Sequence, residues 1–196
     1  SDRLMYRLQY RNFGDYQMLL TNHTVDVNGS DHAGVHWFEL RDSGAGWDVF
    51  QEGVYAPDEE NRWMASLAMD DSGNIGLGYS VSSSTTYTSI RYTGRLEADP
   101  VGLMPQGEAS LIAGSGSQLS SLSRWGDYSM MAVDPLDGCT FWYTQEYIMT
   151  TGTAPWRTRI GSFKFPSCTP LPTGMLTGIV TNGSVPIQGA TILATG

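Results

Sequence analysis

The chain has 196 residues, of which 40% are apolar and 16% are charged, and its formal net charge at pH 7 is −9. The apolar fraction argues against a disordered protein, and no apolar run approaches the ~20 residues needed to span a bilayer. The acidic balance has the wrong sign for binding a nucleic-acid backbone. We therefore expect a folded domain of ordinary size, with no membrane span and no nucleic-acid partner.

The N-terminal third contains short alternating runs of apolar and polar residues, separated by residues that favour turns. This period of two predicts β-strands and an all-β fold. The predicted strands are Leu4–Arg11, Tyr16–Asp26, Val35–Arg41 and Trp47–Tyr55.

Two further sets of strands repeat a common unit. In the first, Trp63–Asp70 precedes a glycine-containing turn and the strand Ile75–Val81; in the second, Trp125–Asp134 precedes a similar turn and the strand Cys139–Tyr147. We expect the aspartate that ends each leading strand to cap the turn after it. The repeat is typical of antiparallel propeller blades, with a two-sheet sandwich as the alternative. The remaining predicted strands lie around Ser89–Tyr92, Glu108–Ala113 and Thr158–Phe165.

The repeated unit resembles the blades of sialidase-like (Asp-box) β-propellers, and the stretch from Arg124–Tyr128 to Phe141–Tyr143 resembles the last blades of secreted bacterial proteins of that kind. The resemblance covers residues 1–167. It implies a partial propeller of about three four-stranded blades. It also implies an extracellular module that binds or processes glycans or other anionic ligands at its loop side. The strict Ser-x-Asp-x-Gly-x-Thr-Trp box does not occur, so the resemblance leaves catalysis open.

The composition changes after Cys168. Residues 168–174 are rich in proline and predict a stiff linker. Residues 175–196 resemble the opening of an immunoglobulin-like, carboxypeptidase regulatory-like domain, with about two of the roughly seven strands of such a fold. The sequence has neither an initial methionine nor a signal peptide, so we expect it to be part of a longer secreted or cell-surface protein.

Cys139 and Cys168 fit neither a zinc site nor a CxxC redox motif. Cys139 begins the second strand of the last predicted set, and Cys168 follows the end of the third. Because adjacent antiparallel strands place these ends together, we predict a disulfide, with two buried thiols as the alternative. A disulfide favours an extracellular location.

The longer polar loops and the crossings between blades are predicted to gather on one side of the fold, opposite the tight glycine turns. Such loops on a rigid scaffold are common sites of binding. Arg62 and Arg124 occupy the same place in successive units, and each precedes a tryptophan, Trp63 or Trp125. The two guanidinium groups could hold an anionic ligand together. The alternatives are structural ion pairs for the arginines and core positions for the tryptophans.

The three histidines fall within one predicted hairpin, where a symmetric turn places His23 opposite His36. With Asp26 or Asp31 these rings could bind a divalent metal such as zinc, and the Asp26 loop also has oxygen ligands suited to calcium. Half-buried histidines without a metal and an aspartate-capped turn are the alternatives. No cofactor is predicted beyond such a metal.

Catalytic candidates are Asp127, Tyr143 and Glu146. Tyr143 and Glu146 resemble a tyrosine–carboxylate nucleophile pair, but a spacing of three on one strand directs them to opposite faces. Whether the protein is an enzyme stays open. We carry three hypotheses: a glycan- or anion-binding module; a hydrolase of ester, phosphoester or glycosidic bonds, metal-assisted or not; and a structural spacer. Three blades are too few for a closed propeller of ~4–8 blades, so we also predict a homo-oligomer, with dimerisation completing the ring.

Overall fold

The computed structural model describes residues 3–170, 181–183 and 185–186, and its regular structure consists of β-strands. Three antiparallel sheets of four, four and three strands follow one another along the chain, and strands pair with their sequence neighbours. The first sheet contains β1 (Gln9–Asn12), β2 (Gln17–Asp26), β3 (Ala33–Asp42) and β4 (Asp48–Tyr55). The middle sheet contains β5 (Asn61–Met69), β6 (Ile75–Ser82), β7 (Ser89–Arg95) and β8 (Ala109–Ile112). The third contains β9 (Met130–Val133), β10 (Thr140–Ile148) and β11 (Trp156–Lys164).

The all-β prediction is confirmed, and the predicted strands correspond to the observed ones in order and approximate length. Two leading strands are shorter than predicted. β1 begins at Gln9 rather than Leu4, and β9 begins at Met130 rather than Trp125. Residues 125–129 therefore lie outside the strand and are able to form part of a loop surface. No helix in the described part of the chain is long and apolar enough to cross a membrane.

The middle sheet is covered on both faces by its neighbours. Leu67, Leu77 and Tyr79 pack with Met18 and Trp37 of the first sheet in one buried cluster. On the opposite face, the middle sheet contributes Ala68 and Ile90 to a second cluster with residues of the third sheet. Since fully burying a large apolar side chain stabilises a fold by roughly 1.5–3 kcal/mol, these two interfaces hold the three sheets together. The third-sheet residues of that second cluster are Met131, Phe141, Tyr143 and Tyr147.

Two glycines of β6 allow the third sheet to approach closely. A Cβ atom at Gly76 would lie 2.9 Å from the Phe141 ring, and one at Gly78 would lie 2.5 Å from the Tyr143 ring. Contacts this short are sterically forbidden, so any larger residue would push the two sheets apart. The alternation of β6 thus directs Leu77 towards the first sheet and leaves room for rings of the third.

The first strands of the three sheets lie side by side. The Gln9 side chain accepts from the Met69 amide at 2.6 Å, which joins β1 to β5. The Met131 amide donates to Ser66 Oγ at 2.9 Å, which joins β9 to β5. The Tyr6 ring, in the segment before β1, stacks with Tyr128 before β9 at a centroid distance of 6.1 Å. The leading edges of all three sheets therefore converge.

The aspartates that directly follow β5 and β9 cap their turns, as predicted. Asp70 Oδ1 accepts from the amides of Ser72 and Asn74 at 2.9 and 3.0 Å. Asp134 Oδ1 accepts from the Leu136 amide at 2.9 Å. The Asp71 amide also donates to the Gly138 carbonyl at 2.8 Å, so the turns of the middle and third sheets lie together.

The predicted disulfide between Cys139 and Cys168 is present, with a Cα–Cα distance of 5.7 Å. The next residue, Thr169, donates its amide to Ser72 Oγ at 2.8 Å and accepts from that hydroxyl at 3.1 Å. In the tail, β12 (Thr181–Asn182) pairs with β13 (Val185–Pro186). The remainder of the predicted linker and immunoglobulin-like segment lies outside the described residues, so those predictions stay open.

Candidate functional site

The polar loops predicted to share one side of the fold lie next to one another. His32 Nε2 is 3.2 Å from the Glu60 carbonyl, and the Ala33 amide donates to Asn61 Oδ1 at 2.9 Å. The Thr86 hydroxyl in the β6–β7 loop donates to Glu60 Oε1. The β2–β3 loop, the β4–β5 crossing and the β6–β7 loop therefore form a continuous surface, which we call the loop side.

Arg62 does not take part in an accessible binding site. Its side chain is 0% exposed. Its guanidinium donates to both carboxylate oxygens of Asp58 at 2.7 and 2.9 Å and to Glu108 Oε1 at 2.9 Å. Of the two interpretations of this arginine, the structure shows the structural ion pair.

The carboxylates around Arg62 form a compact acidic group. Ligand oxygens of Asp58, Glu60 and Glu108 lie within 4.8 Å of one another. Arg91 Nη1 donates to Glu60 at 2.5 Å and to Glu108 at 2.7 Å, so two arginines already supply the countercharge. Burial raises the pKa of Glu108, but hydrogen bonds from Arg62 and from neighbouring side chains outweigh burial and lower it overall. The group acts as a structural ion-pair network.

Trp63 and Trp125 meet at the loop side. Their rings pack edge to face with centroids 6.2 Å apart, and both are partly buried. Trp125 Nε1 donates to Ser80 Oγ at 3.0 Å. The two tryptophans thus join the start of the middle sheet to the segment before β9, and they support the loop side rather than line its hollows.

Arg124, Asp127 and Glu146 line one cleft with Trp156, and we call it the charged cleft. Its volume is about 300 Å³, and its remaining walls come from the segment before β9 and the β10–β11 loop. Arg124 forms an ion pair with Asp127, and its side chain is 71% exposed. The Gly126 amide donates to Glu146 Oε2 at 3.2 Å, which fixes that carboxylate at the wall. The cleft therefore contains an exposed indole, two carboxylates and a guanidinium.

A second hollow adjoins the charged cleft through Asp127, which lines both. This tyrosine pocket has a volume of about 370 Å³ and includes the stacked rings of Tyr6 and Tyr128. Tyr6 is 71% exposed and Tyr128 is 45% exposed. The pocket lies where the leading edges of the first and third sheets meet.

Tyr143 is placed away from these hollows. It is 1% exposed and belongs to the core between the middle and third sheets. Burial raises the pKa of its phenol, so the neutral form is favoured still further. As the spacing predicted, Tyr143 and Glu146 cannot act as a nucleophile pair.

The predicted histidine pairing is confirmed, but the predicted metal site is not assembled. His23 pairs with His36 across β2 and β3, with ring centroids 5.3 Å apart. His36 instead contacts Glu52 at 3.1 Å. Asp26 accepts from three backbone amides of its own turn, including that of Asp31, as in an aspartate-capped turn. In residues 3–170, 181–183 and 185–186, the acidic group around Arg62 is the one set of three side chains compact enough for a metal.

Sequence reasoning missed three aromatic residues of the site: Tyr6, Tyr128 and Trp156. Trp156 directly follows the polar loop between β10 and β11, and Tyr128 follows the Arg-Trp-Gly-Asp stretch. Their positions beside named candidates were visible, but their convergence depends on contacts between sheets. Comparison with known proteins found no matching family model, no matching curated protein and no matching solved structure.

Proposed function

We propose that this chain forms part of an extracellular β-propeller whose loop side binds glycans in the charged cleft. The observation that carries the proposal is the exposed Trp156 ring beside Asp127 and Glu146. A sugar ring presents an apolar C–H face that stacks on an indole and a rim of hydroxyls that donate to carboxylates. Small-molecule sites typically combine an aromatic wall with a small number of well-placed polar groups.

The architecture supports the propeller part of this proposal. The sheets follow one another along the chain, pack face to face, and bring their first strands together. Those relationships are expected of consecutive blades around an axis. The disulfide supports an oxidising, extracellular setting.

The test is a glycan array followed by calorimetry on any glycan that binds. We expect Trp156→Ala to weaken binding at least ~10-fold, because one stacked ring contributes about 1.4 kcal/mol or more. The matched control is Trp142→Ala, which removes a second exposed tryptophan of the third sheet that lies outside the cleft. Unchanged affinity in Trp156→Ala, or equal losses in both variants, would overturn the proposal.

A hydrolase is the second candidate, because Asp127 and Glu146 line the same cleft. Paired carboxylates acting as general acid and as base or nucleophile are typical of glycosidases. Turnover of aryl glycosides, aryl esters and aryl phosphoesters should then be lost in Glu146→Gln. Loss of turnover with a chelator would assign a metal-assisted route. If neither glycan binding nor turnover were detected, the remaining hypothesis would be a structural spacer.

A further inference from the structure

A third hollow on the loop side adjoins the charged cleft. This hydroxyl pocket has a volume of about 410 Å³ and is formed by residues 82–88 of the β6–β7 loop together with Ser117 and Gln118. Its lining consists of serine, threonine, tyrosine and glutamine side chains. It therefore differs in chemistry from both the charged cleft and the tyrosine pocket.

Gln118 lines both the hydroxyl pocket and the charged cleft. Its side-chain amide donates to the Arg124 carbonyl at 2.5 Å. Its backbone forms a bridge with Gly152, and the Gly152 amide donates to the Ser117 carbonyl at 3.1 Å. Gln118 is thus held from two sides where the hydroxyl pocket meets the charged cleft, and Asp127 lies where the charged cleft meets the tyrosine pocket.

Several hydroxyl groups of the hydroxyl pocket are available to a ligand. Ser83 Oγ is engaged by the amides of Thr85 and Thr86 within the loop. The hydroxyls of Ser84 and Tyr87, by contrast, have no hydrogen-bond partner among the described residues, and Tyr87 is 51% exposed. A hydroxyl both donates and accepts, so such a lining complements another polyhydroxylated surface.

We infer that the three hollows form one extended groove, and that its ligand is an oligosaccharide rather than a single sugar. This inference rests on the proposed function. Each hollow alone falls within or close to the ~300–1,000 Å³ of small-molecule sites, so the row accommodates a chain of linked rings. One ring stacks on Trp156, and the rings on one side of it reach the hydroxyl pocket past Gln118.

The test compares ligand lengths with calorimetry. The probes are linear oligosaccharides of one to six units derived from cellulose, chitin and maltose, together with any glycan found on the array. We expect affinity to rise at least ~10-fold from the monosaccharide to the longer oligomers of the matching series. We expect Tyr87→Ala to remove most of that gain while leaving the monosaccharide affinity unchanged.

The matched control is Tyr10→Ala, which removes a tyrosine of equal exposure on the first sheet. Trp156→Ala should weaken binding of every length. Equal affinity for all lengths, or an unchanged oligosaccharide affinity in Tyr87→Ala, would overturn the extended groove and leave the proposed function standing. Absence of binding by every glycan would overturn both.

Discussion

The indole rings of Trp63, in β5 of the middle sheet, and Trp125, in the segment before β9, meet edge to face with centroids 6.2 Å apart. Each follows an arginine in the repeated unit. Arg62 is completely buried between carboxylates, whereas the Arg124 side chain is 71% exposed beside Asp127. Equivalent positions in the repeat therefore have different roles, one structural and one at the charged cleft.

Replacement of these two arginines should have different effects on stability. Arg62→Met should lower the free energy of unfolding by about 3 kcal/mol, because it removes a completely buried guanidinium that donates to Asp58 and to the partly buried Glu108. Arg124→Met should change it by less than ~0.5 kcal/mol, because an exposed ion pair contributes little. Urea denaturation of both variants measures the difference. Equal losses would contradict the assignment of Arg62 as the structural arginine.

Stability should fall in acid through the network around Glu108. This carboxyl lies against Arg62, Arg91 and Tyr79, and its pKa in the folded protein is below its ordinary value of 4.5. Because the unfolded chain then binds the proton more tightly, ionised Glu108 stabilises the fold above about pH 4.5, and that contribution is lost as the pH falls through the folded-state pKa.

The measurement is urea denaturation of the wild type and Glu108→Gln between pH 7 and pH 3. The variant should be less stable at pH 7 and should lose less stability on acidification. Asp70→Asn is an informative comparison, since burial raises the pKa of Asp70 and its contribution therefore has the opposite sign. Parallel pH profiles for the wild type and Glu108→Gln would exclude this role of Glu108.

Loss of the disulfide should destabilise the third sheet. The bond joins residues separated by 29 positions, for which the chain-entropy relation gives about 3.5 kcal/mol. The double variant Cys139→Ser/Cys168→Ser should unfold at correspondingly lower urea concentration. Reductant should shift the wild type towards the variant and leave the variant unchanged. If reductant left the urea denaturation of the wild type unchanged, the disulfide would add no stability.

Self-association is predicted from the outer faces of the two terminal sheets. Val49 and Val54 of the first sheet are 55% and 51% exposed, and Ile160 of the third is 66% exposed. Apolar faces of this kind favour a second copy, which would pack its third sheet on the first sheet of its partner.

Light scattering at micromolar concentration should give twice the 21.4 kDa monomer mass. Val54→Asp and Ile160→Asp should each yield the monomer. Val101→Asp, which changes an exposed apolar residue in the β7–β8 connection, should not. A wild-type monomer would refute the prediction.

The strand order of this protein could be predicted from local patterns. Alternation in Tyr16–Asp26 and the glycine turns after Asp70 and Asp134 report directly on backbone geometry, because each depends on residues a few positions apart. The Cys139–Cys168 pairing followed from the same strand order. The predicted first residues of β1 and β9 were less accurate, because pairing with neighbouring strands decides where a strand begins.

The sequence by itself therefore determined the all-β class, the repeated unit, the disulfide and the opposing directions of Tyr143 and Glu146. Only the tertiary structure decided which arginine is buried, whether the histidines gather metal ligands, and that Trp156 joins Asp127 and Glu146 in one cleft. The physical reason is that burial, ion pairing and cleft formation depend on contacts between sheets. Those contacts are set by how the sheets pack against one another, and patterns among residues close in sequence do not determine that packing.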